Sequence, residues 1–185
     1  MEAPRLKDAL EQYIDGKDNN RPQRLEQLYT PNARLSFQMD AADMAFPPQV
    51  SGNREIARIL SADFNRKYRQ VKTYYLNHDN LVLDGYRIEK QPWLVLMQEI
   101  DTGTVRAGCG YYNWQFVDAA EGNWQIDRHH ISIHQMLSLP AERFKWLQTL
   151  QNDLPYPWLA LDQAIAVLES DSAVAPLANY LKQFR

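Results

Sequence analysis

Three of the four histidines, His129, His130 and His134, stand in one short stretch of the 185-residue chain. An imidazole changes charge near neutral pH and can pass a proton or bind a metal, so chemistry is sought here first. On a regular strand His129 and His130 point to opposite faces, and only one can enter a pocket. The apolar residues change parity between Ile126 and Ile131, which a bulge near residues 128–130 explains. The inward histidine is left open at this point, with His130 carried as the candidate. His130 and His134 share a face, but zinc needs further ligands of suitable geometry and the sequence offers none. The plainer reading of each is a hydrogen-bonded sheet or interface histidine. His78, in Asn77-His-Asp-Asn80, reads as a solvent-facing turn.

Asp15 closes the first amphipathic helix, where the helix dipole disfavours an anion. Its carboxylate is either solvated at a helix exit or held there for another reason. The single cysteine, Cys109, has only Arg106 as a nearby cation and reads as a small buried residue. Glu99 and Asp101 share parity beside a turn and read as solvated. No phosphate loop, serine elbow or Cys-X-X-Cys occurs, so nucleotide and triad chemistry have no support.

The elements that must position these groups follow from periodicity. Leu6, Leu10, Tyr13 and Ile14 form one helical face over residues 4–15, with Gly16 at the expected stop. A second helix covers residues 22–29, and residues 33–39 alternate as a strand. Residues 40–52 have no period and read as a loop of the length that lids use. Residues 53–69 are the cleanest amphipathic helix. Residues 71–83 and 93–100 read as strands, followed by a long hairpin over residues 105–117 and 123–135. Its first arm sends Tyr112, Trp114 and Phe116 to one face, as core, interface or pocket lining. Helices over residues 140–151, 158–169 and 172–184 complete an α+β order.

Apolar residues make up 45% of the chain and charged residues 23%, an ordinary globular balance. The net charge of −3 gives no footprint for nucleic acid. One cysteine precludes an intramolecular disulfide, and neither an apolar leader nor a membrane-length run is visible, so a cytoplasmic chain without a membrane partner is expected.

Several short motifs occur in a telling order: Tyr13-Ile-Asp15-Gly-Lys-Asp18, Leu28-Tyr-Thr-Pro-Asn-Ala33, Ser51-Gly52-Asn-Arg-Glu-Ile56, Val82-Leu-Asp84-Gly85, Gly110-Tyr111-Tyr112 and Asn123-Trp124-Gln-Ile126. With them, residues 3–137 resemble the nuclear transport factor 2-like superfamily, close to its SnoaL-like polyketide cyclase and scytalone dehydratase branch. The resemblance implies a cone, a strongly curved antiparallel sheet wrapped around N-terminal helices and leaving a deep apolar pocket. The expected units are residues 1–137 as the SnoaL-like domain and residues 138–185 as a helical extension, packed on that domain or on a dimer partner.

The resemblance also implies roles. Asp15 matches a pocket aspartate of dehydratase and cyclase relatives, and an apolar pocket raises a carboxyl pKa towards neutrality, which suits acid–base work. Phe37 falls where those relatives carry a strand tyrosine, Tyr75 (or Tyr74) where they carry a pocket histidine, and Gly108 where they carry a second. Without that histidine pair, scytalone dehydration itself is not expected. The implied catalytic set is Asp15, Tyr75 and His130, with Tyr13, Phe37, Tyr112 and Trp114 around a small apolar molecule. Neither metal nor cofactor is implied, and a homodimer through the open sheet face is. The expected function is a cofactor-independent cyclase, dehydratase or isomerase acting on a small apolar carbonyl compound. The alternative is a non-catalytic binding or dimeric interaction domain.

Overall fold

The first helix decides where the polar groups of the interior lie. The computed structural model describes residues 3–41, 44–77, 81 and 84–185, and His78 falls outside them. Helix α1 (Ala3–Asp18) buries Leu6, Leu10, Tyr13 and Ile14, and the same stripe continues one turn on to Lys17. The stop expected at Gly16 does not occur there. Gly16 is a contact point: a Cβ on it would lie 2.7 Å from Leu25 Cδ2 of the next helix. The chain turns at Asn20, whose φ is +52°, and Arg21 N–H bonds the Gly16 carbonyl at 2.9 Å. Helix α2 (Pro22–Leu28) then packs Leu25 and Leu28 against α1.

The strands β1 (Tyr29–Ala41), β2 (Gln49–Ser51), β3 (Tyr68–Tyr75), β4 (Arg87–Glu99), β5 (Val105–Asp118) and β6 (Trp124–Leu139) form one sheet. Their order is β2-β1-β6-β5-β4-β3. The pairs are antiparallel as expected except that β1 runs parallel to β6, so the sheet is mixed. A parallel pair needs a long crossover, and everything between these two strands supplies it. Register shifts interrupt the β1–β6, β3–β4, β4–β5 and β5–β6 pairs, and such bulges bend a sheet around its contents. One shift lies at Asp127, just before the expected position, and it turns Ile126, His129, Ile131 and Ile133 to the inner face. Helix α3 (Asn53–Ala57), a π-helical turn (Arg58–Asp63) and α4 (Phe64–Lys67) continue one another across the mouth of the cone.

The chain after residue 139 packs on the back of the same sheet. Helices α5 (Phe144–Asp153), α6 (Leu161–Glu169) and α7 (Ala175–Leu181) bury Leu147, Ile165, Leu168, Leu177 and Leu181 against Tyr74, Leu94, Leu96, Ala107 and Cys109. Between α5 and α6 a strap pairs with the edge of β3. Tyr75 N–H bonds Pro157 O at 2.8 Å, and Leu159 N–H bonds Tyr75 O at 2.9 Å. Trp158 of the strap lies on the Tyr75 ring and donates to Glu11 of α1 at 2.7 Å. None of the described helices is long and apolar enough to cross a membrane.

Candidate small-molecule site

Between the inner sheet face and the α3–α4 rod lies a cavity of ≈ 40 Å³, room for a few waters at most. Its walls are apolar: Phe37, Leu60, Phe64, Val95, Ile133 and the thioethers of Met44, Met97 and Met136. Phe46, at the mouth, stacks on Phe37 with centroids 4.5 Å apart. Lys17 is the one charged side chain among the described residues that line it, and Thr73 lies beside it.

The end of α1 and the sheet together build this polar corner. Lys17 Nζ donates to Asp18 Oδ1 at 3.0 Å and to Thr73 Oγ1 at 2.9 Å, and sits 4.5 Å from the centroid of the Phe64 ring. The Asp18 side chain is 0% exposed. It also accepts Thr73 Oγ1 at 3.0 Å, Thr73 N–H at 2.7 Å and the Tyr156 hydroxyl of the strap at 2.9 Å. Burying an ion pair costs several kcal/mol per ion, roughly, unless further hydrogen bonds satisfy it, and these four donors to Asp18 do that. The π-helical turn serves the same corner. Ser61 Oγ donates to Gly16 O at 2.7 Å and Asn65 Nδ2 to Lys17 O at 2.8 Å, tying down the last turn of α1.

Behind the cavity the cone is filled with rings. His129 stacks on Trp114 at 3.8 Å between centroids, meets Tyr13 edge-on, and shares a 2.7 Å hydrogen bond with the Tyr29 hydroxyl through Nδ1. Burial holds its pKa well below the usual histidine range, with His130 adding to the effect, and pushes the Tyr29 phenol up. Nε2 of His129 has no partner among the described residues, and neither has Nε1 of Trp93, whose ring lines the cavity.

The comparisons with known proteins bear on this arrangement through its architecture. No family model matches the sequence, and no curated protein does. Among solved structures, a scytalone dehydratase-like protein from Novosphingobium aromaticivorans superposes with a TM-score of 0.56 at 15% identity, covering 75% of this chain and 87% of that one. The hexachlorocyclohexane dehydrochlorinase LinA-type3 of Novosphingobium barchaimii gives 0.57 at 12% identity, over 74% and 89%. A nuclear transport factor 2-like protein of Salmonella enterica gives 0.57 at 14%, over 70% and 89%. The fold is the nuclear transport factor 2-like cone.

Within the nuclear transport factor 2-like frame, the residues expected from the sequence separate. Phe37 and Tyr112 line the cavity. Tyr13 and Trp114 belong to the packed rings behind it. Asp15 faces away: its carboxylate pairs with Arg21 at 3.0 Å and Arg24 at 3.1 Å and accepts Asn19 Nδ2 at 2.8 Å. The helix runs past it, so the carboxylate that reaches the interior is Asp18. The Tyr75 hydroxyl is committed to the main chain, donating to Leu10 O at 2.9 Å. His130 lies on the outer face with Nδ1 2.7 Å from Ser36 Oγ, because the bulge gives the inner position to His129. Glu99, read as solvated, accepts Arg106 Nη1 at 2.6 Å and the Thr102 hydroxyl at 2.7 Å. The groups that sequence reasoning missed are Lys17, Asp18, Thr73 and Tyr156. For Lys17 the signal was present, seven residues after Leu10 on the same helical stripe.

Proposed function

We propose that this chain binds a small, largely apolar carbonyl compound in the cone, with the carbonyl oxygen on Lys17, and acts as a cofactor-independent enzyme of the lyase or isomerase kind. The observation that carries this reading is the Lys17 ammonium, 8% exposed, at the end of an otherwise apolar cavity and braced by Asp18 and Thr73. A charged donor fixed in a water-poor site stabilises negative charge that develops on a substrate oxygen. The partnerless Trp93 N–H is a second donor at the same cavity. Thioethers repack readily, so Met44, Met97 and Met136 in the lining let the cavity widen around a ligand. The fold neighbours named as a dehydratase-like protein, a dehydrochlorinase and a ketosteroid isomerase-like protein add support of a general kind.

One observation favours a second reading, a binding protein without turnover. Each oxygen of Asp18 already accepts two hydrogen bonds, so the acceptor sites of the carboxylate nearest the cavity are occupied. Cyclohexanone and methylcyclohexane serve as a matched pair of probes. A hydrogen bond to a charged donor predicts about tenfold to a hundredfold preference for the ketone, and Lys17→Met removes it. Exchange of the ketone α-protons into deuterated water, observed by NMR, separates the two readings. Catalysed exchange that Lys17→Met abolishes supports the enzyme, binding without exchange supports the binder, and equal binding of both probes refutes the site.

A further inference from the structure

The outer face of the sheet carries a second set of groups that the cone does not use. Cross-strand partners Ser51–Arg34, Arg34–Arg128, Arg128–Gln115 and Gln115–Arg87 place these five residues in one row across β2, β1, β6, β5 and β4. The next row is Gln49–Ser36–His130–Asn113. Both rows line one open groove of ≈ 660 Å³, within the range that small-molecule sites occupy. Helices α5–α7 cover the β3 side of this face and leave the groove uncovered.

The charge in this groove has no structural explanation. Arg34 and Arg128 are directly opposite on neighbouring strands, a placement that destabilises a sheet. Arg34 and Arg87 have no ion-pair partner among the described residues, and the one carboxylate within 4 Å of Arg128 is Asp127, at 4.0 Å. Glu89 is the single acidic residue among the described residues lining the groove. The other polar side chains, Gln49, Ser51 and Gln115 among them, are neutral groups able to donate. Asn113 Oδ1 is taken by the Lys90 N–H at 2.7 Å, which leaves its NH₂ to the groove. Partial burial lowers the pKa of His130, so near neutral pH the ring is uncharged. Its Nδ1 shares a 2.7 Å hydrogen bond with Ser36 Oγ.

We propose that this groove is a binding site for a small, multiply charged oxyanion, an organic phosphate or polycarboxylate. Guanidinium groups match either group in a two-pronged geometry. At a strand spacing of about 4.8 Å, Arg34 and Arg128 lie one strand apart, Arg128 and Arg87 two, and Arg34 and Arg87 three, roughly 5, 10 and 14 Å between backbones. Two or three anionic groups on one compact molecule fit that spacing.

Isothermal titration with inorganic pyrophosphate and with citrate, at low ionic strength, tests the site and separates phosphate from carboxylate chemistry. Saturable binding of one or both is expected, weakened roughly tenfold in Arg34→Gln and in Arg128→Gln. The thermal midpoint of each variant should stay level or rise, since repulsion is relieved, whereas a structural arginine lowers it. Absence of saturable binding of both probes overturns the proposal. So does binding that survives in the Arg34→Gln/Arg128→Gln double variant. So does a dimer in the unmodified chain that the same substitutions dissociate, which assigns the face to self-association.

Discussion

Replacing Tyr156 by phenylalanine tests whether the strap holds the interior ion pair. The change removes one hydroxyl and keeps the ring, which packs edge-on against Tyr74 at 5.6 Å and lies 5.2 Å from Lys72 Nζ. The lost hydrogen bond is to a fully buried carboxylate, a class worth about 1.5–3 kcal/mol. Oδ2 keeps the Thr73 N–H at 2.7 Å, so the lower half of that range applies, about 1.5–2 kcal/mol. For a chain of this size the melting midpoint then falls by roughly 3–8 °C. Asp18→Asn is expected to be worse, at about 3–5 kcal/mol, because it leaves the Lys17 ammonium buried and unpaired. The assay is urea unfolding of both single variants and the double variant. In the double variant the tyrosine contributes little, and a coupling of at least about 1 kcal/mol appears. Additive losses, or a Tyr156→Phe loss below about 0.5 kcal/mol, refute the reasoning.

Three further outcomes follow from buried groups. His129 stays neutral when folded because burial depresses its pKa, while in the unfolded chain it titrates near the ordinary value of about 6.5. As pH falls below that value the unfolded state gains a proton that the native state refuses, so stability drops by about 1.4 kcal/mol per pH unit, and it is level above. His129→Phe should flatten this slope in urea titrations between pH 6.5 and 5 (roughly), and an unchanged slope assigns the effect elsewhere. Burial pushes the Cys109 thiol well above its usual range, so a thiol reagent such as DTNB should react with it only on unfolding; prompt reaction of the native chain contradicts this. A chain ending at residue 139 bares Tyr74, Leu94, Leu96 and Cys109, and sedimentation should show it associating; a monomer with unchanged β-sheet content argues against that packing.

Much of this fold was legible because the periodic signals were local. The α1 stripe, the long hairpin and the bulge near the histidines can all be read from neighbours in sequence. What stayed hidden were pairings over distance. The parallel β1–β6 contact leaves no local trace, since both strands alternate as antiparallel ones do. Gly16 was misread because a glycine that ends a helix and one that admits a neighbouring leucine look alike in sequence. Tyr156 reaches Asp18 across 138 residues, and no spacing rule connects them. The inward histidine stayed open because one bulged residue reverses every side chain beyond it, and the bulge at Asp127 puts His129 inside.

The strap has a consequence for how these molecules behave in a crowd. An open sheet has two exposed rims, and each is a template on which another chain can add a strand. Here Pro157 and Leu159 occupy the main-chain groups of Tyr75, and Gln151 Nε2 caps Gln70 O at 2.6 Å. The opposite rim is β2, only three residues long. Both rims are therefore poor seeds for fibrillar growth, so the stretch that braces the ion pair from outside also shields the sheet from misassociation.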